Sequence, residues 1–372
     1  MKEYVRCYAK ISLDAIEHNI DEVVKKVGKD VGVLAVIKAD GYGHGAIPIA
    51  KRLADKVQYF AVASIEEAIE LRKADVTHPI LILGYTSPSQ YDDIIKYDIT
   101  QTIYSLDTAQ LLAEAGKRAG KNGKVHIALD TGMTRIGFVM EEASVKAVKK
   151  ISELSNIELE GVFSHFSCAD MYDKTYSKMQ MERYDWFVER LSDEGVHIPI
   201  KHLSNSAGII EFESHRFNMV RSGIMTYGLY PSDEVRMDEV KLEPALSWIT
   251  HVVNVKTVDA GHGVSYGATY VTDKKTKIAT LSVGYADGYP RALSNIGRVI
   301  IRGQYAPIIG RVCMDQFMVD VSHIEDVAIE DEAILVGRDG DAVITVEEVA
   351  DLAGSFNYEF VCGISPRVKR IY

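Results

Sequence analysis

Short apolar runs alternate with longer amphipathic segments through the first 230 or so residues of the chain. Residues 33–37 are all apolar, and such a run is typical of a strand buried on both faces of a parallel sheet. Further strands are predicted at 59–63, 79–83, 99–103, 125–129, 159–163, 200–203 and 217–220. Helical spacing is found between them, for example at 106–119 and 176–193. This alternation predicts a TIM (β/α)8 barrel rather than an open doubly wound sheet.

The pattern changes at about residue 234, beyond which helical spacing becomes scarce. Strands are predicted at 247–258, 277–283, 298–301, 306–309 and 317–321. One helix is predicted at 345–353, with Thr345 as its cap and Glu348 completing a capping box. We therefore expect a barrel domain over 11–235, followed by a mainly β C-terminal domain over 236–372 that also takes a strand from residues 1–10.

Length and composition exclude several classes of protein. The 372 residues suffice for two domains, with 47% hydrophobic and 26% charged residues as in ordinary globular proteins. A net charge of −11 argues against nucleic-acid or anionic-membrane partners. The N-terminus has no signal-peptide core and no apolar run approaches the ~20 residues of a membrane span, so we predict a cytoplasmic location. The four scattered cysteines predict reduced, mostly buried thiols and no metal site.

Lys38 is the first candidate for chemistry, because it follows the 33–37 strand directly. Barrel folds build their sites at the carboxyl ends of strands. The glycines of Gly41-Tyr42-Gly43-His44-Gly45 let the backbone approach a ligand closely. An amine beside apolar walls has a lowered pKa and becomes reactive. The alternative is an ordinary lysine that extends from a strand end into solvent.

Other polar residues follow the remaining predicted strands. They are Ser64, Gly84, Tyr104, Asp130 with Arg135, His165, Ser204-Asn205-Ser206 and Arg221. A barrel rim with several cationic groups and few carboxylates is poorly suited to a metal ion. It suits an anionic aromatic cofactor instead.

Several segments resemble the alanine racemase family over nearly the whole chain. Lys38-Ala39-Asp40-Gly41-Tyr42-Gly43-His44 resembles the family's pyridoxal phosphate lysine segment, and the segment 130–137 resembles its Asp-Thr-Gly-Met-x-Arg-x-Gly motif. Further similarity lies at 202–208, 221–224, 263–267 and 310–316. The resemblance implies pyridoxal 5'-phosphate as cofactor, bonded to Lys38.

The resemblance also implies roles for the other site residues. Arg135 would contact the cofactor's phenolic oxygen and the substrate carboxylate, His165 would pack against the ring, and Arg221 would face the pyridine nitrogen. The phosphate would be held in the segment of Asn205 and Ser206, by Ser206, the backbone N–H groups of Gly223 and Ile224, and the Tyr42 hydroxyl. Tyr266 would be a second catalytic base, and the Met314 backbone would bind substrate.

Each of these residues also has an ordinary structural interpretation. Arg135 would form a surface salt bridge, His165 would be a hydrogen-bonded core histidine, and the serines would cap helices. Arg221 would form an ion pair at the end of the barrel, and Tyr266 would pack in the β domain.

The function implied by the resemblance is racemisation of a small amino acid, chiefly L-alanine to D-alanine for cell-wall peptidoglycan. Lys38 and Tyr266 would act as the two bases, with Tyr266 and Met314 supplied by the partner subunit of a homodimer. Two departures matter: Ala128 replaces a carbamylated lysine, and Pro366 replaces a tyrosine. They leave open a serine or broad-specificity racemase. A barrel-type pyridoxal phosphate decarboxylase and a non-enzymatic cofactor carrier are the remaining alternatives.

Overall fold

The computed structural model describes residues 4–372, so Met1, Lys2 and Glu3 of the expected N-terminal strand lie outside the described residues. The described part of that strand is β1 (Cys7–Ile11). The chain divides into two compact units, one made of residues 13–41 and 46–244, the other of residues 4–12, 42–45 and 245–372.

The larger unit is a parallel barrel with helices, as predicted. Within residues 4–372 its strands are β2 (Gly32–Val36), β3 (Tyr59–Val62), β4 (Ile80–Ile82), β5 (Thr100–Ile103), β6 (Gly123–Asp130) with its short neighbour β7 (Phe138–Val139), β8 (Ile157–Phe163), β9 (Ile200–His202) and β10 (Met219–Ser222). Parallel pairs run from β10 to β2 and onward to β9. Arg221 N donates to Ser204 O at 2.9 Å, which links the last two strands.

Helices lie between the barrel strands. They are α1 (Leu13–Val27), α2 (Ala46–Arg52), α3 (Ile65–Lys73), α4 (Tyr91–Lys96), α5 (Leu106–Ala119), α6 (Glu142–Ser152), α7 (Thr175–Asp193) and α8 (Ser206–Glu211). In α1, for example, Ile16, Ile20 and Val23 recur at helical spacing and are fully buried. Because the strands are parallel, their carboxyl ends share one rim, and the predicted site residues of this unit follow those ends.

The second unit is mainly β, again as predicted. Its further strands are β11 (Leu246–Val258), β12 (Gly263–Val264), β13 (Tyr270–Val271), β14 (Thr276–Leu281), β15 (Arg298–Ile301), β16 (Gln304–Ile309), β17 (Phe317–Asp320), β18 (Glu332–Asp339), β19 (Ala342–Ile344) and β20 (Lys369–Ile371). Its helices are α9 (Val346–Leu352) and α10 (Asn357–Cys362).

The N-terminal strand does join this second unit. β1 pairs antiparallel with β11, with Cys7 opposite Thr250 and Ile11 opposite Leu246, and it pairs parallel with β20. Buried aromatic side chains fill the core beside it, where the rings of Tyr289 and Phe317 stack with centroids 4.9 Å apart.

Two predictions about side chains are corrected by the structure. Thr345 caps α9 by accepting from Glu348 N at 3.1 Å, but the Glu348 carboxylate pairs with Arg298 at 2.8 Å and so completes no capping box. The four cysteines are free, yet only Cys7 is buried, and Cys362 is exposed because it ends a surface helix. The prediction of mostly buried thiols was therefore wrong.

None of the helices within residues 4–372 combines the length and the apolarity that a membrane span needs.

Candidate active site

Lys38 lies where the chain leaves β2 and turns in the left-handed sense. Ala39 (φ 53°), Asp40 (φ 50°) and Gly41 (φ 59°) occupy the left-handed region, which disfavours residues with a Cβ. A glycine is needed at position 41 for two reasons. Its backbone is left-handed, and an added Cβ would lie only 2.9 Å from the side chain of Ile49. The turn is closed by Gly41 N donating to Ile37 O at 2.8 Å. It leaves the Lys38 side chain half-buried at the rim.

Arg221 is a buried cation that forms no ion pair among the residues the structure describes. Nη1 donates to His202 Nδ1 at 2.9 Å, and Nη2 donates to Ser164 O at 2.7 Å and Leu203 O at 2.9 Å. Burial lowers its pKa to about 10, so the group stays protonated at neutral pH. Among the described residues, Arg221 therefore does not form the ion pair that the structural interpretation expected at the end of the barrel.

One N–H group of Arg221 has no hydrogen-bond acceptor within residues 4–372. Within residues 4–372, Nη1 and Nη2 bond carbonyl oxygens and imidazole nitrogens, whereas Nε–H has no acceptor. A guanidinium donates and never accepts, so this N–H requires an acceptor atom from elsewhere.

The arginine fixes the tautomers of two buried histidines. Because Arg221 donates to His202 Nδ1, the proton of that ring is on Nε2, which donates to His126 Nδ1 at 2.9 Å. The proton of His126 must then be on its own Nε2, which is buried and has no partner in the described part of the chain. Burial, followed by the charge of Arg221, lowers the pKa of His126 to about 3 and that of His202 well below its usual value.

His165 is likewise held neutral. Burial lowers its pKa most, and the nearby cationic groups of Arg221, Arg135 and Lys38 lower it further, in that order. Its Nδ1 lies 3.3 Å from Arg221 Nη2, and its Nε2 lies 3.4 Å from Asn205 Nδ2. These interactions bring Lys38, Arg135, His165, Asn205 and Arg221 into one electrostatic environment.

Ser206 and Gly223 meet at the ends of the last two barrel strands. Ser206 Oγ accepts from Gly223 N at 3.0 Å, and Ile224 is fully buried behind them. The helix cap of α8 is Asn205, whose Oδ1 accepts from Gly208 N at 3.0 Å, so Ser206 is not the cap.

Arg135 follows a tight turn built on Asp130. Asp130 Oδ1 accepts from Gly132 N at 3.0 Å and from Thr134 N at 2.9 Å. Arg135 itself is exposed, and among residues 4–372 no carboxylate pairs with it, so the surface salt bridge is not formed. Ala128 is buried and offers no polar group in place of the modified lysine.

The remaining predicted residues, Tyr42, Tyr266 and Met314, belong to the second unit. Tyr42 is buried, and burial followed by the nearby Cys362 raises its pKa. Tyr266 begins a short 3-10 turn and is 71% exposed, while Met314 is 52% exposed. Neither of the latter two packs in a core, so the packing interpretation of Tyr266 is wrong.

Sequence analysis missed His126 and the part played by His202. The indication was present for His126, which is the one polar residue in the otherwise apolar run 125–129. No group of three or more His, Cys, Asp or Glu side chains suited to a metal ion occurs within residues 4–372.

We predict that His126 makes the barrel sensitive to acid. Its pKa is depressed in the folded state, so its stabilising contribution is complete above about pH 6.5 and is lost as the pH falls towards 3. As the pH falls below about 6.5, the free energy of unfolding of the wild type should decrease. In His126→Gln this decrease should be smaller, by about 1.4 kcal/mol per pH unit. Urea unfolding at pH 6.5 and 5.0 measures this, with the exposed His197→Gln as control. Equal pH dependence in His126→Gln and wild type would contradict the prediction.

Comparison with known proteins accounts for both units. The alanine racemase N-terminal domain model matches residues 11–231, and the C-terminal domain model matches residues 245–372. An alanine racemase of Halothermothrix orenii is 48% identical over 98% of this chain and 96% of its own length. The structure of alanine racemase from Clostridium difficile 630 superposes with a TM-score of 0.96 at 44% identity, covering 100% of this chain and 96% of that one. A Bartonella henselae alanine racemase with covalently bound pyridoxal phosphate matches with a TM-score of 0.87 at 26% identity, covering 99% and 100% of the two chains. The chain therefore belongs to the alanine racemase family.

Proposed function

We propose that the chain is a pyridoxal phosphate-dependent racemase that interconverts L-alanine and D-alanine. Family membership over both units supports this activity. The observation that carries it is Arg221, a buried cation with no carboxylate partner in the described residues and with one N–H left for an acceptor. Such a donor near Lys38 suits an anionic cofactor whose ring nitrogen accepts a hydrogen bond.

The donor set of the barrel rim fits pyridoxal phosphate. Arg221 Nε–H would serve the ring nitrogen, and the Ser206 hydroxyl with the N–H groups of Gly223 and Ile224 would serve the phosphate. The neutral His165 would pack against the ring, and Asn205 would hold that imidazole from the other side. The buried Tyr42 would add its hydroxyl to the phosphate group.

When bound, pyridoxal phosphate withdraws electrons from the amino acid and so weakens the bond between Cα and its hydrogen. The chain supplies positioning and proton transfer. Arg221 keeps its proton, so it donates to the ring nitrogen without protonating it. Arg135, exposed at the rim, would bind the substrate carboxylate with its forked guanidinium.

Two different bases account for reaction in both directions. Lys38 Nζ would remove the Cα proton on one face, and Tyr266 Oη would deliver a proton to the opposite face, with the roles reversed for the other enantiomer. The Met314 backbone would bind the substrate beside Tyr266.

A homodimer with shared active sites is part of this proposal. The exposed side chains of Tyr266 and Met314 support it, because a tyrosine base and a substrate contact need an enclosed site and a single chain leaves both in solvent. A second copy of the chain would cover them.

Other parts of the proposal rest on family membership. They are the division into a cofactor-binding domain over 11–235 and a β-rich domain over 236–372 with residues 1–10, a cytoplasmic location, and the use of D-alanine for peptidoglycan.

We predict that the purified protein, supplied with pyridoxal phosphate, converts L-alanine to an equal mixture of enantiomers. The D-alanine formed is measured with a D-specific oxidase, and L-serine is tested in parallel because Ala128 and Pro366 depart from the family pattern. We expect alanine to be turned over at least tenfold faster than serine. Faster serine turnover would favour the serine racemase, release of CO2 the decarboxylase, and absence of any α-proton exchange the non-enzymatic carrier.

The shared site predicts complementation between two inactive chains. Lys38→Ala and Tyr266→Phe should each reduce kcat for alanine by at least about a hundredfold. Co-expressed in equal amounts, they should regain about a quarter of wild-type activity per chain, since half of the dimers are hybrids and each hybrid has one intact site. Lys38→Ala co-expressed with the double variant Lys38→Ala/Tyr266→Phe is the matched control and should stay inactive. Failure of the first pair to regain activity would contradict a site shared between chains.

A further inference from the structure

One carboxylate ties together the backbone after two neighbouring barrel strands. Glu67 Oε1 accepts from Ala39 N at 2.7 Å, and Glu67 Oε2 accepts from Ala63 N at 2.7 Å. Ala39 directly follows Lys38, and Ala63 directly follows β3. The two oxygens of a single side chain therefore fix the residue next to Lys38 against the adjacent strand.

The residue that Glu67 holds has an unfavourable backbone conformation. Ala39 (φ 53°, ψ 48°) and Asp40 (φ 50°, ψ 52°) are left-handed without being glycine, and the Cβ atom of each disfavours this conformation. Such a conformation persists only where surrounding contacts determine it. A hydrogen bond from Ala39 N–H to a carboxylate is of the stronger, charge-assisted kind.

Two further hydrogen bonds of the turn are local. Gly41 N donates to Ile37 O, and Asp40 Oδ1 accepts from Ala46 N at 2.7 Å, so both join residues within 37–46. Glu67 joins the turn to α3, a helix of the rigid barrel. Its carboxylate therefore connects the turn to the end of the neighbouring strand β3.

Helix capping does not account for this arrangement. Ser64 and Glu67 have the spacing of a capping box, in which the glutamate would accept from Ser64 N. Ser64 is the N-cap of α3, but its side chain makes no cap hydrogen bond, and the Glu67 carboxylate reaches past Ser64 to Ala63 and Ala39.

We propose that Glu67 is a positioning residue for Lys38. Its carboxylate fixes the left-handed turn, so that the Lys38 side chain leaves β2 in the direction from which it meets the cofactor. This inference deepens the function proposed above and rests on it.

The test compares Glu67→Gln with Glu66→Gln in the full-length protein. Glutamine keeps one acceptor oxygen but turns an NH2 group towards the second N–H donor, so one of the two bonds is lost. Glu66 is the matched control, because it lies in the same helical turn, is exposed, and bonds Gln90 at 3.1 Å instead of the Lys38 turn. Pyridoxal phosphate affinity is measured by titrating the cofactor-free protein, together with kcat, KM for L-alanine and Tm.

We expect Glu67→Gln to bind pyridoxal phosphate about tenfold more weakly and to lose about tenfold in kcat, because a bond to a charged group contributes about this much. KM for L-alanine should stay within twofold, since the substrate contacts lie elsewhere. Glu66→Gln should match the wild type within twofold in every quantity.

A second variant separates positioning from general destabilisation. Glycine adopts the left-handed conformation without the Cβ penalty, so Ala39→Gly added to Glu67→Gln should restore at least threefold of the lost cofactor affinity. Rescue supports the proposal even if Glu67→Gln lowers Tm. Absence of rescue, or wild-type cofactor affinity in Glu67→Gln, overturns it. A wild-type protein that binds no pyridoxal phosphate at Lys38 would instead overturn the proposed function, and this inference with it.

Discussion

The site depends on the left-handed turn that the chain makes as it leaves β2. A strand buried on both faces ends at the barrel rim, and the following residues must turn away from it while leaving Lys38 at the edge. Ala39 and Asp40 adopt a conformation that costs free energy, and hydrogen bonds from within the turn and from Glu67 offset that cost. If the turn relaxed, the amine of Lys38 would point elsewhere, and the groups opposite it would have nothing to act with.

The second feature of the site is a cation buried without a counter-charge in the described part of the chain. Arg221 is surrounded by carbonyl oxygens and imidazoles, and the same burial that lowers its pKa keeps His126, His165 and His202 neutral. Neutral imidazoles accept hydrogen bonds and add no positive charge, so the arginine remains protonated. The net result is a rim that favours an anion with a hydrogen-bond acceptor, as expected for the cofactor of this family.

Much of the fold could be predicted from the sequence because several barrel strands, such as β2, β3 and β4, are short and continuously apolar. The eight strands from β2 to β6 and from β8 to β10 were predicted within two residues of their observed bounds, whereas the two-residue β7 was not predicted. The Lys38, Asp130–Gly137 and Ser204–Ser206 segments were recognised as candidate site segments. Strand β18 (Glu332–Asp339) was missed, since it carries charges at both ends and lacks regular alternation. Helix α10 is only six residues long, which is too short for a period of about 3.6 residues to be detected.

The contacts that organise the site were beyond prediction for a physical reason. His126, His202 and Arg221 are joined across three strands, and the bonded partners are 76 and 19 positions apart in the sequence. Glu67 has the spacing of a local capping residue, yet it bonds to a turn 28 positions away. Local sequence patterns describe which residues share a face of one element. They do not describe which side chains meet across a barrel rim.

The most direct measurement of the central claim is the identity of the lysine that bonds the cofactor. The purified protein is loaded with pyridoxal phosphate, reduced with borohydride and digested, and the modified peptide is identified by mass spectrometry. We expect the phosphopyridoxyl group on Lys38 alone. Modification of a different lysine, or of none, would contradict the account of the turn and of the site built around it.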